Sequence, residues 1–295
     1  MIKFVDLRQQ YDSIKAEIDA AIKGVLESTH FILGDKLKLF EQEFAKFCNS
    51  KYCIGLNSGT SALHLALLAG GIKKGDEVIT VPNTFVATCA SIHFTGSIPR
   101  LVDIEADTYN MDPNKLKKSI NKKTKAIIPV HLYGQPANMK VIREVAEKHD
   151  LAVIEDACQA HGAEHYGKKV PFSDIGCFSF YPGKNLGAYG EGGCIVTNDK
   201  EIDDKARALR DHGQIKKNVH KYIGYNYRLE EIQSAILSVK LKYLEKWTSA
   251  RRKNAKLYSE LLENSDVVIP LEKEYNKHVY HLYVIRVKNR QKLIE

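Results

Sequence analysis

Residues 126–155 read AIIPVHLYGQPANMKVIREVAEKHDLAVIE, and their order decides the fold class. Ala126–Val130 is a short apolar run, Met139–His149 a helical stretch, and Leu151–Glu155 a second apolar run. Continuous apolar runs suit strands covered on both faces, as in a largely parallel sheet. Strand, helix and strand in alternation predict a layered α/β domain. The pattern extends both ways. Upstream, Leu37, Phe40, Phe44 and Phe47 recur at spacings of three and four and predict a helix over 36–47. Tyr52–Leu56 predicts a strand, Ser58–Ala69 a helix, Glu77–Val81 a strand and Thr84–Phe94 a helix. Downstream, Ile175–Phe180 and Cys194–Thr197 predict further strands. Past residue 200, stretches rich in Lys, Glu, Leu and Ala predict helices over 200–210 and 228–263, then a single strand, His281–Val287. The expected division is a large domain over 1–245 and a smaller one over 246–295. One strand with few partners ends a domain poorly, so the second is expected to be truncated.

With 295 residues, the chain suffices for one large domain or two moderate ones. Its 44% hydrophobic and 27% charged residues are globular proportions that exclude disorder and fibrous repeats. No run approaches the roughly 18 apolar residues of a membrane span. Residues 1–30 lack the basic start, apolar core and cleavage site of a signal peptide, so a cytoplasmic protein is expected. The net charge of +8 comes from 44 Lys and Arg against 36 Asp and Glu. The basic residues are scattered in pairs such as Lys73-Lys74 and Lys216-Lys217, with no zinc-finger or RNA-binding signature beside them. Nucleic acid is therefore not the expected partner; a small anionic substrate uses such a field more mildly. The six cysteines have no CxxC spacing and read as reduced core residues rather than metal ligands.

Three stretches carry chemistry. Ser179–Gly193 holds five glycines between Gly183 and Gly193 and a single cation, Lys184. Such a loop lets the backbone come close to a ligand, and a desolvated lysine there could serve as a Schiff-base nucleophile. Alone, it would be an ordinary surface lysine. Asp156 falls at the carboxyl end of a predicted buried strand, where α/β sheets place ligand-binding groups. A carboxylate there needs a cation such as a protonated pyridine, although a helix cap is the blander reading. Asn57–Leu63 is a strand-to-helix turn of small and hydroxyl residues, suited to a phosphate or simply to a well-capped helix. It lacks the Gly-Lys-[Ser/Thr] of a P-loop. Together, an anion cradle, a strand-end carboxylate and a glycine-flanked lysine are what pyridoxal 5'-phosphate requires.

These residues resemble the DegT/DnrJ/EryC1/StrS sugar aminotransferases, a branch of the fold-type I pyridoxal phosphate enzymes. The resemblance runs from Phe4-Val5-Asp6-Leu7 to the last predicted strand. It includes Asn83-Thr84-Phe85, the segments Pro129–Gly134 and Glu155–Gln159, the lysine loop, and Gly224–Leu229. It implies an aspartate aminotransferase-like fold with a smaller α+β C-terminal domain. It implies that Lys184 condenses with the cofactor aldehyde and later shuttles a proton, and that Asp156 pairs with the pyridine nitrogen. Gln159 would reach the ring hydroxyl and Phe85 would stack on the ring. Gly59, Thr60, Ser61 and Ser179 would hold the phosphate. Asn226 resembles a residue that members supply from the neighbouring subunit, which implies a homodimer with a shared active site.

The wording Phe-Tyr-Pro-Gly-Lys-Asn-Leu-Gly-Ala is similar to the branch that aminates C3 of nucleotide-linked 3-keto sugars. That implies L-glutamate as amino donor and a dTDP- or UDP-linked sugar as acceptor, for surface polysaccharide or natural-product biosynthesis. Tyr181 would line the sugar site; His212, Tyr225 and Arg228 are further substrate candidates. Members usually continue for several tens of residues beyond the equivalent of Glu295. Two other functions stay open here. One is a pyridoxal phosphate-dependent sugar dehydratase, whose relatives carry His in place of the lysine. The other is a homologue that binds cofactor or nucleotide sugar without turnover.

Overall fold

The computed structural model describes residues 5–294. Phe4 and the outer ends of the two expected domains, residues 1 and 295, lie outside the described residues. Helices α1 (Leu7–Ser28) and α2 (Asp35–Phe47) lead into β1 (Tyr52–Leu56), α3 (Gly59–Ala69), β2 (Glu77–Thr80), α4 (Ala87–Phe94) and β3 (Ile98–Leu101). There follow α5 (Pro113–Ser119), β4 (Thr124–Ile127), α6 (Met139–Lys148), β5 (Ala152–Asp156), β6 (Glu164–His165), β7 (Lys168–Lys169), β8 (Ile175–Ser179) and β9 (Gly193–Thr197). The chain closes with α7 (Lys200–Arg210), β10 (Gln214–Lys216), β11 (Val219–His220), α8 (Glu231–Leu241), α9 (Leu244–Leu262), β12 (Asn276–Lys277) and α10 (Arg290–Ile294).

Among the described residues, seven strands form the main sheet in the order β1-β9-β8-β5-β4-β2-β3. Only β9 runs against its neighbours there; the other strands share one direction. The carboxyl ends of β1, β2, β5 and β8 therefore lie along one edge. Helices cover both faces. On one, Phe40 and Phe44 of α2 meet Phe178 and Phe180 with ring centroids 5.1–5.3 Å apart. On the other, α3 is buried almost all round, Leu63, Leu65 and Leu67 being at most 1% exposed. This explains why α3 carries no polar stripe.

Most predicted elements appear within a residue or two; the helix expected over Thr84–Phe94 begins only at Ala87. The exceptions have physical causes. Ala126–Val130 is not strand throughout, because Pro129 has no N–H to give the ladder; Val130 bridges singly to Asp156. The stretch 228–263 is two helices, broken at Lys242 and Tyr243. His281–Val287 is not a strand: Arg286 alone bridges, to Val268, while the Leu282 N–H donates to the Tyr133 carbonyl and Tyr283 packs on Tyr258. Helix α1 has no counterpart among the predicted elements. Its buried stripe is thin (Ile14, Ile18 and Val25), and Ile14 and Ile18 pack against Ile236 and Val239 of α8, with Tyr189 and Trp247 at the edge of the cluster.

Helix α8 also holds the start of α2. The carboxylate of Glu231, 2% exposed, accepts the N–H groups of Gly34, Lys36 and Leu37 at 2.8–3.0 Å. A distant side chain thereby caps a helix that lacks a side-chain cap of its own. Glu231→Ala is expected to lower unfolding free energy by about 2–4 kcal/mol, and Glu231→Gln by less, since it keeps an acceptor. Urea unfolding monitored by circular dichroism checks both; an unchanged midpoint in Glu231→Ala would contradict the capping role.

Candidate active site

The carboxyl edge of the sheet opens into a cavity of about 630 Å³, within the range of small-molecule sites. Its floor is built where three strands end. After β1, Ser58 caps α3 by accepting the N–H of Ser61 at 3.0 Å. Gly59 and Thr60, the first residues of α3, line the opening. Glycine is required at 59: a Cβ there would stand 2.7 Å from Ser179 Cβ and 3.0 Å from Cys158 Sγ. Ser179, at the end of β8, thus sits directly against the helix start and also lines the cavity. Ser61 does not line it; its hydroxyl donates to Asn57 Oδ1 at 2.7 Å.

Asp156 ends β5 and is 5% exposed. Its Oδ2 accepts the Thr88 hydroxyl at 2.7 Å and its Oδ1 the Cys158 N–H at 3.2 Å. Gln159 follows on the same turn. Its Oε1 accepts the Tyr133 N–H at 2.7 Å, so the free end of the amide is a donor.

Lys184 lines the same cavity from the loop after β8. Its N–H donates to the Tyr181 carbonyl at 2.9 Å, and the Ala188 N–H returns to the Phe180 carbonyl at 2.7 Å. Gly187 lies where a Cβ would meet the Pro182 carbonyl at 2.4 Å, so this turn demands glycine. From below, the wholly buried Lys240 donates to the Gly187 carbonyl and lies 4.6 Å from the Tyr189 ring centroid; burial brings its ammonium down to about 8. Among the described residues no carboxylate pairs with the Lys184 ammonium. His161 and His281 stand near it. Burial first, and the Lys184 charge second, lower both to about 3, so both are neutral near pH 7. Phe85, 69% exposed, and Tyr181, 53% exposed, line the cavity near its mouth.

The remaining sequence candidates lie elsewhere. His212, Tyr225, Asn226 and Arg228 sit together on the 211–228 segment, outside the cavity of their own chain. Tyr225 stacks on Tyr227 at 4.9 Å, and both face His64 of α3. Asn226 is exposed between them, and its Oδ1 accepts Arg228 Nε at 3.0 Å; Arg228 in turn pairs with Asp211 at 3.1 Å. Thr88, Cys158, Glu191 and His281 also line the cavity and were not singled out from the sequence. The i,i+4 hydroxyls of Thr84 and Thr88 were a local signal that could have been read. His281 had none, because only the tertiary fold brings it to the lysine loop.

A mostly parallel sheet with a lysine and a buried carboxylate in one cavity at its carboxyl edge defines the fold-type I class of pyridoxal phosphate enzymes. The chain belongs to the DegT/DnrJ/EryC1/StrS aminotransferase family, which it matches over residues 12–295. That family is pyridoxal phosphate-dependent. A protein of Geobacillus stearothermophilus named pleiotropic regulatory protein is 47% identical, over 99% of this chain and 80% of its own length. The dTDP-3-amino-3,6-dideoxy-alpha-D-galactopyranose transaminase of Aneurinibacillus thermoaerophilus is 46% identical, again over 99% and 80%. The crystal structure of DesV from S. venezuelae in complex with a ketimine intermediate superposes with a TM-score of 0.98 at 40% identity, covering 99% of this chain and 79% of that one. No helix among the described residues is long and apolar enough to cross a membrane.

The buried histidines make stability depend on pH. His161, His278 and His281 stay neutral in the folded protein down to about 3, while the unfolded chain protonates near the ordinary 6.5. Below about 6.5 the unfolded state binds more protons, so stability falls as pH is lowered. The urea midpoint is expected to drop between pH 7 and 5.5, and to drop less in His161→Leu. Equal drops in the two proteins would contradict this account.

Proposed function

We propose that the cavity binds pyridoxal 5'-phosphate and that the protein moves the amino group of L-glutamate to C3 of a nucleotide-linked 3-keto sugar. The observation that carries the reading is that Lys184 and Asp156 line one cavity with the hydroxyls of Thr60 and Ser179. The donor set fits the cofactor. The first turn of α3 and two hydroxyls suit a phosphate. A buried carboxylate suits a ring N–H⁺. The donor end of Gln159 suits a ring oxygen, and a lysine with no carboxylate partner among the described residues suits an aldehyde.

When bound, the cofactor supplies an aldehyde that takes up amines and a protonated ring that stabilises the electron pair left at the reacting carbon. Asp156 keeps the proton on the ring nitrogen, a charge interaction that matters most as the transition state forms. Lys184 Nζ would anchor the cofactor and would carry a proton to or from the reacting carbon. Phe85, which lines the cavity, would cover the ring, and the neutral His161 and His281 add no competing charge beside Nζ. Tyr181, near the mouth, borders the sugar.

Asn226, exposed and outside its own cavity, would reach the phosphate held by a second subunit, and His212 and Arg228 would accompany it. The working enzyme is then a homodimer with shared sites. Tyr225, packed on Tyr227, supports that segment from within. Residues 281–282 border the cavity from the later part of the chain. Free cysteines at all six positions suit a reducing compartment such as the cytoplasm.

Purified protein loaded with cofactor is expected to lose its visible absorbance on adding glutamate. It should then convert dTDP- or UDP-linked 3-keto sugars to amino sugars detectable by mass spectrometry. Lys184→Ala should abolish the absorbance and reduce turnover by more than about a thousandfold. Asp156→Asn should keep the fold and lose about a hundredfold. Cofactor uptake with no glutamate reaction would favour a binding protein, and loss of a sugar hydroxyl without amine transfer would favour a dehydratase.

A further inference from the structure

Thr88 of α4 is wholly buried, and its hydroxyl donates to Asp156 Oδ2 at 2.7 Å. A hydroxyl has one proton. With that proton on the carboxylate, the 2.8 Å contact between Thr88 Oγ1 and Thr84 Oγ1 has a single direction: Thr84 donates and Thr88 accepts. The chain from Thr84 through Thr88 to Asp156 is polarised toward the carboxylate. Thr84 lines the cavity, and with its proton turned inward it presents only lone pairs there.

The rest of Asp156 is equally fixed. Its N–H donates to the Pro129 carbonyl at 2.9 Å, and its carbonyl accepts the His131 N–H at 3.0 Å. Its Oδ1 accepts the Cys158 N–H. The side chain cannot turn without giving up a charge-assisted hydrogen bond in a buried site.

We infer that Thr88, polarised by Thr84, is a positioning residue: it holds the Asp156 carboxylate in the orientation that meets a cationic ring N–H. The inference rests on the reading of this cavity as a pyridoxal phosphate site. It adds that the carboxylate is aimed by α4, an element that follows a different strand from the one bearing Asp156.

The test compares wild type, Thr88→Val and Thr88→Ser for cofactor dissociation constant, by fluorescence titration of the apoprotein, and for kcat and KM in the glutamate half-reaction. Valine keeps the shape and removes the hydroxyl; serine restores it. Thr88→Val is expected to weaken cofactor binding about tenfold and lower kcat at least about tenfold, with KM for glutamate within about twofold, while Thr88→Ser stays within about threefold of wild type. Wild-type values in Thr88→Val, or equal impairment in Thr88→Ser, would overturn the inference and leave the cofactor reading standing. Wild type that takes up no cofactor would overturn both. If Thr88→Val does not fold, Thr84→Val tests the same chain: cofactor binding should weaken about threefold, and no change would overturn the inference.

Discussion

A carboxylate buried at the end of a central strand is the constraint on which the site depends. Asp156 lies on β5, flanked in the sheet by β4 and β8, and little water reaches it. A carboxylate in that position destabilises the fold unless donors and a cation compensate it. The Thr88 hydroxyl and the Cys158 amide supply part of the compensation. A ring N–H⁺ would supply the rest. The surroundings of Asp156 therefore favour a particular kind of ligand before any substrate is considered.

The other parts of the cavity are held by contacts from far along the chain. The lysine loop rests on Lys240 of α8, and α8 also caps α2 through Glu231. Helix α2 packs its phenylalanines on the strand that leads into the loop. Sheet, loop and outer helices thus form a connected frame around Lys184. Gly59 and Gly187 are tolerated within it because a side chain at either would push apart groups that must touch.

Much of this was legible in the sequence. Apolar runs marked the inner strands because strands covered on both faces have no polar alternation to hide them. Lys184 and Asp156 stood out because a glycine-rich loop and a strand-end carboxylate are expensive features without a ligand. Other parts were not legible. The stripe of α1 is too thin to read without α8 beside it. The apolar residues of 281–287 suggested a strand, but strand character needs a partner and only Arg286 finds one. Ser61 and Thr60 are neighbours of the same chemistry, and the local capping geometry alone turned one inward and left the other at the cavity.

The sequence by itself determined the alternation of strands and helices and the chemical types gathered for the site, since both follow from local periodicity and side-chain chemistry. Only the tertiary structure decided that Thr88 aims Asp156, that His281 stands by Lys184, and that His212, Tyr225, Asn226 and Arg228 lie outside their own chain's cavity. The first two relations join residues many tens of positions apart. Spacing along a chain carries no record of such distances; they are set by how the sheet orders its strands and how the helices pack across it.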